Sequence, residues 1–179
     1  STQKTINPKD CPNTSPAQFL RDGAAQYGIK RLCEESVQKA PTVQAAKAIL
    51  YAFNHIGAPY ACGGAGRTEP NSFDCSSFVS RSYSEGAGMS NVGVSNTVAM
   101  TRPVANWLTP VEENGIKPGD LVFFAQQGTN GDGGSGHVVM ALANGFLIDT
   151  GACGDGVRIQ KLDLHPNWTQ YDGAYRVVN

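Results

Sequence analysis

Apolar residues recur at helical spacing through the first half of the chain and in short unbroken runs through the second. The clearest helical stripe is Val43, Ala46, Ile49, Leu50, Phe53 and Ile56, opened by Thr42 as a candidate N-cap and closed by Gly57. Upstream, Phe19, Leu20, Ala24 and Tyr27 predict a helix from Ser15-Pro16 to Tyr27. Gly28 breaks it, and Ile29, Leu32, Cys33, Val37 and Ala40 predict a second helix before Pro41. Phe78, Val79 and Tyr83 mark one face of a short helix that begins at Cys75. Residues 86–104 are rich in Gly, Ser, Asn and Thr and read as loop, with a short helix near 95–101.

From Ile116 the pattern changes to strands. Lys117-Pro118-Gly119-Asp120 is a turn and Leu121–Ala125 a buried strand. A glycine-rich loop over 128–136 precedes the strand His137–Leu142. Asn144-Gly145 is a tight-hairpin signal, and Phe146–Thr150 returns. Residues 156–162 and 174–178 complete a meander of about five strands. Helices first and strands later predict an α+β fold with an antiparallel sheet. Residues 1–40 read as an N-terminal helical extension too short for a core of its own, and 41–179 as the main domain.

Charge narrows the function. Fourteen basic and 15 acidic residues leave a formal net charge of −1, which argues against a nucleic-acid or anionic-membrane partner. No run of 18 apolar residues occurs, so no transmembrane helix is expected. Ser1 in place of an initiator Met, with no apolar leader, suits a processed or trimmed chain.

The cysteines carry more. There are five, Cys11, Cys33, Cys62, Cys75 and Cys153, and an odd number in an oxidising compartment leaves one free thiol. If Cys75 is that thiol, the other four allow three pairings. Cys11–Cys33 is the local one and leaves Cys62–Cys153; a reducing compartment would instead keep all five as thiols. No Cys-x-x-Cys pair occurs and the three histidines are scattered, which argues against zinc.

Cys75 stands where a Gly/Pro-rich loop meets a helix start, a setting that favours the thiolate. The bland alternative is a small buried hydrophobe. His137 opens a strand beyond a glycine loop and is the candidate base, with Asp149 twelve residues on (149 − 137) as the candidate orienting group. Pairing about Asn144-Gly145 sets 143 opposite 146, hence 140 near 149 and 137 near 152. That register leaves Asp149 about three residues off His137. Tyr60 would place a phenol beside Cys75 if its loop folds back. His55 reads as a surface residue near a helix end.

In this order, Gly57-Ala58-Pro59-Tyr60 with Gly63-Gly64, Phe73-Asp74-Cys75-Ser76-Ser77-Phe78-Val79, Lys117–Phe124, Gly136–Met140 and Phe146–Asp149 resemble the NlpC/p60 family of cell-wall cysteine peptidases over about 43–178. The resemblance implies a papain-like fold, a nucleophile helix on an antiparallel sheet, and hydrolysis of peptidoglycan stem peptides, most often between γ-D-glutamate and a diamino acid. It makes Cys75 the nucleophile, His137 the base and Asp149 the third polar residue, where His is frequent. Tyr60 matches a tyrosine tied to the oxyanion or substrate, and Asp74 and Ser76 match positions that contact the peptide amine in some members. It implies no cofactor or metal, a monomer, and a secreted or wall-associated location. An N-acetylmuramoyl-L-alanine amidase and a non-catalytic wall-binding module are the alternatives. Ser77 departs from a usual Gly and would narrow the space behind the nucleophile. Cys62 departs from a usual aromatic residue, and its bond to Cys153 would tie the tyrosine loop to the Asp149 strand. Closing a 91-residue separation (153 − 62) would add roughly 4 kcal/mol in the chain-entropy picture.

Overall fold

The computed structural model describes residues 7–126 and 135–179. Most of the loop read over 128–136, and the start of the irregular N-terminal chain, lie outside those residues. Among the described residues there are five α-helices: α1 (Ala24–Tyr27), α2 (Ile29–Lys39), α3 (Val43–Phe53), α4 (Cys75–Arg81) and α5 (Thr97–Thr101). Six strands follow among the same residues: β1 (Leu108–Val111), β2 (Leu121–Gln126), β3 (Ser135–Ala141), β4 (Phe146–Asp149), β5 (Arg158–Lys161) and β6 (Thr169–Val177).

The strands form one antiparallel sheet in the order β1-β6-β2-β3-β4-β5. The last strand therefore leaves the meander and crosses to pair with β2. β1 carries Pro110, which is tolerated there because β1 is an edge strand.

Alternation along the strands sorts the core. Val138, Met140 and Ile148 point to the helix side, where Phe53, Phe73, Phe78 and Val79 are fully buried against them. Val122, Phe124, Val139, Ala141 and Leu147 point to the other side, under Leu162, Leu164 and Tyr171. α3 starts at Thr42, whose hydroxyl accepts the Ala45 N–H at 3.0 Å, and it ends at Phe53, before the expected Gly57. Gly57 instead turns the chain with φ +89° and donates its N–H to Val157 O.

The first predicted helix is shorter than its pattern. Asp22 and Gly23 sit at positive φ and break it, and Leu20 pairs with Ile159 at the β5 edge. The extension is nevertheless fastened to the sheet. Arg21 N–H donates to Ile159 O, Arg21 pairs with Asp155 at 2.8 Å, and Ser36 Oγ accepts the Ala143 N–H. Ile29, Leu32 and Val37 share the same core as α3 and the sheet.

Two disulfides join Cys11 to Cys33 and Cys62 to Cys153, with Cα atoms 5.8 and 5.2 Å apart. Cys75 is the free cysteine.

Candidate active site

The start of α4 is built by its flanking side chains. Asp74 is extended and caps the helix: its Oδ1 accepts the Ser77 N–H at 2.9 Å, and Ser77 Oγ accepts the Asp74 N–H at 2.9 Å. Ser77 is thus the other half of a capping box, wholly buried, and its hydroxyl is spent on the backbone. Helix geometry leaves the Cys75 N–H without an intrahelical acceptor, so it is a donor in the position an oxyanion hole needs. Below, Phe78 and Val79 pin α4 to the sheet. Arg81, buried, donates to the carbonyls of Arg67, Glu69 and Ser72 and holds the loop that delivers Cys75.

β3 and β4 bring His137 to Asp149. The hairpin between them is a three-residue loop, Ala143–Gly145, with Asn144 in the left-handed region and Leu142 N–H bonded to Phe146 O. The expected tight turn would have paired 143 with 146. The observed register pairs Met140 with Ile148 and Ala141 with Leu147, one residue different. Because strand faces alternate, that single step moves Asp149 onto the face that carries His137. The two become diagonal neighbours across the ladder, a separation long side chains bridge. His137 Nε2 meets Asp149 Oδ2 at 2.7 Å.

Asp149 is 1% exposed and its other oxygen is also occupied. Arg158 Nε donates to Oδ1 at 3.1 Å and Gln160 Nε2 at 3.4 Å, both from β5. Arg158 turns its Nη1 to Asp155 at 2.8 Å. Neither Arg158 nor Gln160 was singled out from the sequence; their i, i+2 spacing on a strand with Ile159 inward was the available signal. Gly151 was missed too. A Cβ there would lie 2.7 Å from His137 Cε1, so only glycine leaves the ring its place.

The imidazole is 21% exposed. Burial pushes its pKa down, but the hydrogen bond with Asp149, then the interaction with Cys75, and the charge of both outweigh burial and raise it to about 9. Since Nε2 faces Asp149, Nδ1 is the nitrogen left for the thiol. Cys75, His137 and Asp149 are therefore brought together.

Tyr60 lies near enough to Cys75 to feel its charge. Its strand-like segment pairs in parallel with Phe73, through Ala61 N–H to Phe73 O at 2.7 Å, and Tyr60 N–H donates to Asp155 O. Burial, then the negative charges of Cys75 and Asp74, raise its pKa. The Cys62–Cys153 bond fastens this loop to the segment after β4.

Asp74 and Ser76 face Arg67, which the sequence reading passed over. Arg67 Nε donates to Asp74 Oδ2 at 2.7 Å; its Nη2 donates to Asp74 Oδ1 at 3.3 Å, Ser76 Oγ at 3.1 Å and Ser95 O at 3.2 Å. Burial pushes the Asp74 carboxyl up, but Arg67 and Ser77 hold it below its ordinary value. Among the described residues, no three His, Cys, Asp or Glu side chains converge as a metal site requires. His55 is a packing residue: its Nδ1 meets Tyr51 O, and its ring stacks on Tyr51 and edges onto Phe73.

A helix-start thiol, an imidazole and a buried carboxylate in this order can carry out nucleophilic acyl transfer. The sequence profile of the NlpC/P60 family matches residues 57–176. The chain belongs to the NlpC/P60 family. It is 28% identical to murein DD-endopeptidase MepH of Escherichia coli K12 over 98% of this chain and 65% of that protein. It is 38% identical to a probable endopeptidase p60 of Listeria grayi over 65% of this chain and 19% of that protein. It thus spans 65% and 19% of the lengths of these two relatives. Among solved structures, the NlpC/p60 domain of the peptidoglycan hydrolase SagA superposes with a TM-score of 0.52 at 28% identity, over 73% of this chain and 96% of that one. An NlpC/P60 family protein from Bacillus cereus superposes with a TM-score of 0.59 at 26% identity, over 75% of this chain and 40% of that one. The fold is the papain-like NlpC/P60 domain, with helices on a six-stranded antiparallel sheet.

Proposed function

We propose that this NlpC/P60 protein is a cysteine endopeptidase that cleaves peptidoglycan stem peptides, at the bond between γ-D-glutamate and the diamino acid. The observation that carries the reading is the free Cys75 at the start of α4 beside His137, itself held by buried Asp149. Cys75 is the nucleophile and His137 the acid–base group. The thiolate adds to the scissile carbonyl carbon, and the oxyanion takes the Cys75 N–H, with Tyr60 near. His137, protonated, gives its proton to the leaving amine as the C–N bond breaks. Water then hydrolyses the thioester, returning a proton to the imidazole and releasing the acid. Asp149 fixes the tautomer and holds the imidazolium.

The names of the relatives support this class: an endopeptidase for MepH and p60, a peptidoglycan hydrolase for SagA. Two disulfides suit a secreted or wall-associated setting. Residues 1–40 serve as a brace on the catalytic unit, through Arg21, Ser36 and the shared core. The name of MepH favours one second reading, cleavage of the D,D cross-link.

Digestion of purified sacculi with mass spectrometry of the products tests the proposal. New D-glutamyl carboxyl and diamino-acid amino termini are expected. New D-alanyl carboxyl termini from the cross-link would favour the D,D reading, and lactyl-amide cleavage an amidase. Binding without products would leave a wall-binding module. Cys75→Ala is expected to lower turnover by at least about 10³-fold; retained activity would overturn the mechanism.

A further inference from the structure

The acidic group beside the nucleophile is already neutralised from within. Asp74 and Ser76 are the sequence neighbours of Cys75 on either side, and the Arg67 guanidinium touches both. That places a fixed cation within side-chain reach of the sulfur. The Asp74 carboxylate has little capacity left. Oδ1 accepts from Ser77 N–H, Ser76 Oγ and Arg67 Nη2, and Oδ2 accepts from Arg67 Nε.

The guanidinium is anchored through Nε and Nη2. Its Nη1 has no hydrogen-bond partner among the described residues, and the side chain is 25% exposed. An arginine so held presents two unspent N–H donors and a positive charge. Such a group accepts a carbonyl or carboxylate oxygen and repels an ammonium.

Which half of the substrate meets it follows from the acid–base chemistry. The imidazole must reach the leaving amine, so the amine half lies toward His137 and Asp149. Tyr60 is held beside Asp74 by the pairing of its segment with Phe73, through Ala61 N–H to Phe73 O at 2.7 Å, whereas His137 is held by Asp149 at 2.7 Å. Cys75 is the group the two sides share. The Tyr60–Asp74–Arg67 side therefore meets the acyl half.

Resting on the endopeptidase reading above, we propose that Arg67 is a specificity residue that selects stem peptides whose acyl half carries no free amino terminus. Its open N–H groups take a carbonyl oxygen of an N-acylated peptide, as in stems still joined to the glycan. A free α-ammonium two residues before the scissile bond meets a like charge and an Asp74 that is already paired. Replacing Arg67 with a neutral residue frees Asp74 to receive that ammonium, so the preference collapses or reverses.

The test uses two synthetic stem peptides, identical except that the L-alanine amino terminus is acetylated or free. For the wild-type protein kcat/KM is expected to favour the acetylated peptide by about tenfold or more, chiefly through KM. In Arg67→Met the ratio is expected to fall to about one or below. Arg67→Lys keeps the charge and is expected to retain most of it. A ratio of two rates on one preparation does not depend on the folded fraction, so loss of stability in a variant cannot imitate the result. A wild-type ratio near one, or an Arg67→Met ratio equal to the wild-type value, would overturn the assignment of Arg67. Cleavage of neither peptide, with no peptide termini released from sacculi, would instead overturn the endopeptidase reading, and this inference with it.

Discussion

Two aspartates are buried at strand ends of the same sheet, each against an arginine, and they do different work. Asp120, just before β2, takes a two-pronged grip from Arg176, with Nε to Oδ1 at 2.9 Å and Nη2 to Oδ2 at 2.8 Å. Its Oδ2 also accepts the Lys117 N–H at 2.7 Å. Both oxygens are spent, and Oδ2 closes the Lys117–Asp120 turn beside Gly119, whose carbonyl receives the buried Tyr83 hydroxyl. Asp149 receives a single N–H from Arg158, which turns its far end to Asp155. That leaves Oδ2 for an imidazole. Arginine forking onto a carboxylate makes a lock; arginine touching one oxygen makes a support whose other oxygen can serve a moving proton.

The comparison is broken most directly at Asp149. Asp149→Asn is expected to lower kcat by about 10²–10⁴-fold, since the amide neither fixes the tautomer nor holds the imidazolium. The same variant is expected to move the alkaline limb of the pH–rate profile downward from about 9 by about one pH unit or more. An unchanged limb would mean that Asp149 does not tune His137. Asp120→Asn is the converse. It is expected to cost about 3 kcal/mol of stability, because Arg176 keeps a desolvated charge without its partner, while kcat per folded molecule stays near wild type. Thermal melting and active-site titration separate the two effects.

The smallest difference, that between the two variants in their pH-dependent stability, sharpens the same contrast. The folded protein holds the His137 proton more tightly than the unfolded chain does. The resulting stabilisation is complete below the ordinary histidine value of 6.5 and is lost as pH rises through about 9. Wild type should therefore lose about 3 kcal/mol between those limits, at ~1.4 kcal/mol for each pH unit, and Asp120→Asn should lose as much. Asp149→Asn should lose less, which urea melts across the pH range would read.

How much of this was legible in the sequence depended on whether a pattern repeats. The α3 stripe and the Cys75 helix start are periodic or abrupt, and both helices begin where they are expected, although α3 ends at Phe53 rather than at Gly57. The two disulfides followed from one local pair and its remainder. Asp149 was named but left about three residues off His137, because Asn144-Gly145 signals a two-residue turn and the loop has three residues. One residue of loop length decides a strand's face, and no hydrophobic count resolves it when both faces are buried, as they are along all of β4. Arg67 sits in a loop without periodicity, and its partners lie 7, 9 and 28 positions away. Nothing short of the fold could pair it with Asp74. Arg158 and Gln160 lay in a strand that was read correctly, but their common face had no meaning until Asp149 was seen opposite.

The Cys62–Cys153 bond closes the chain into a covalent ring, and Cys75, His137 and Asp149 all lie on its circumference. A single backbone cut between residues 62 and 153 opens that ring without dividing the molecule. Cys75, His137 and Asp149 remain parts of one covalent body. The first nick is thus a change of topology rather than a loss of parts.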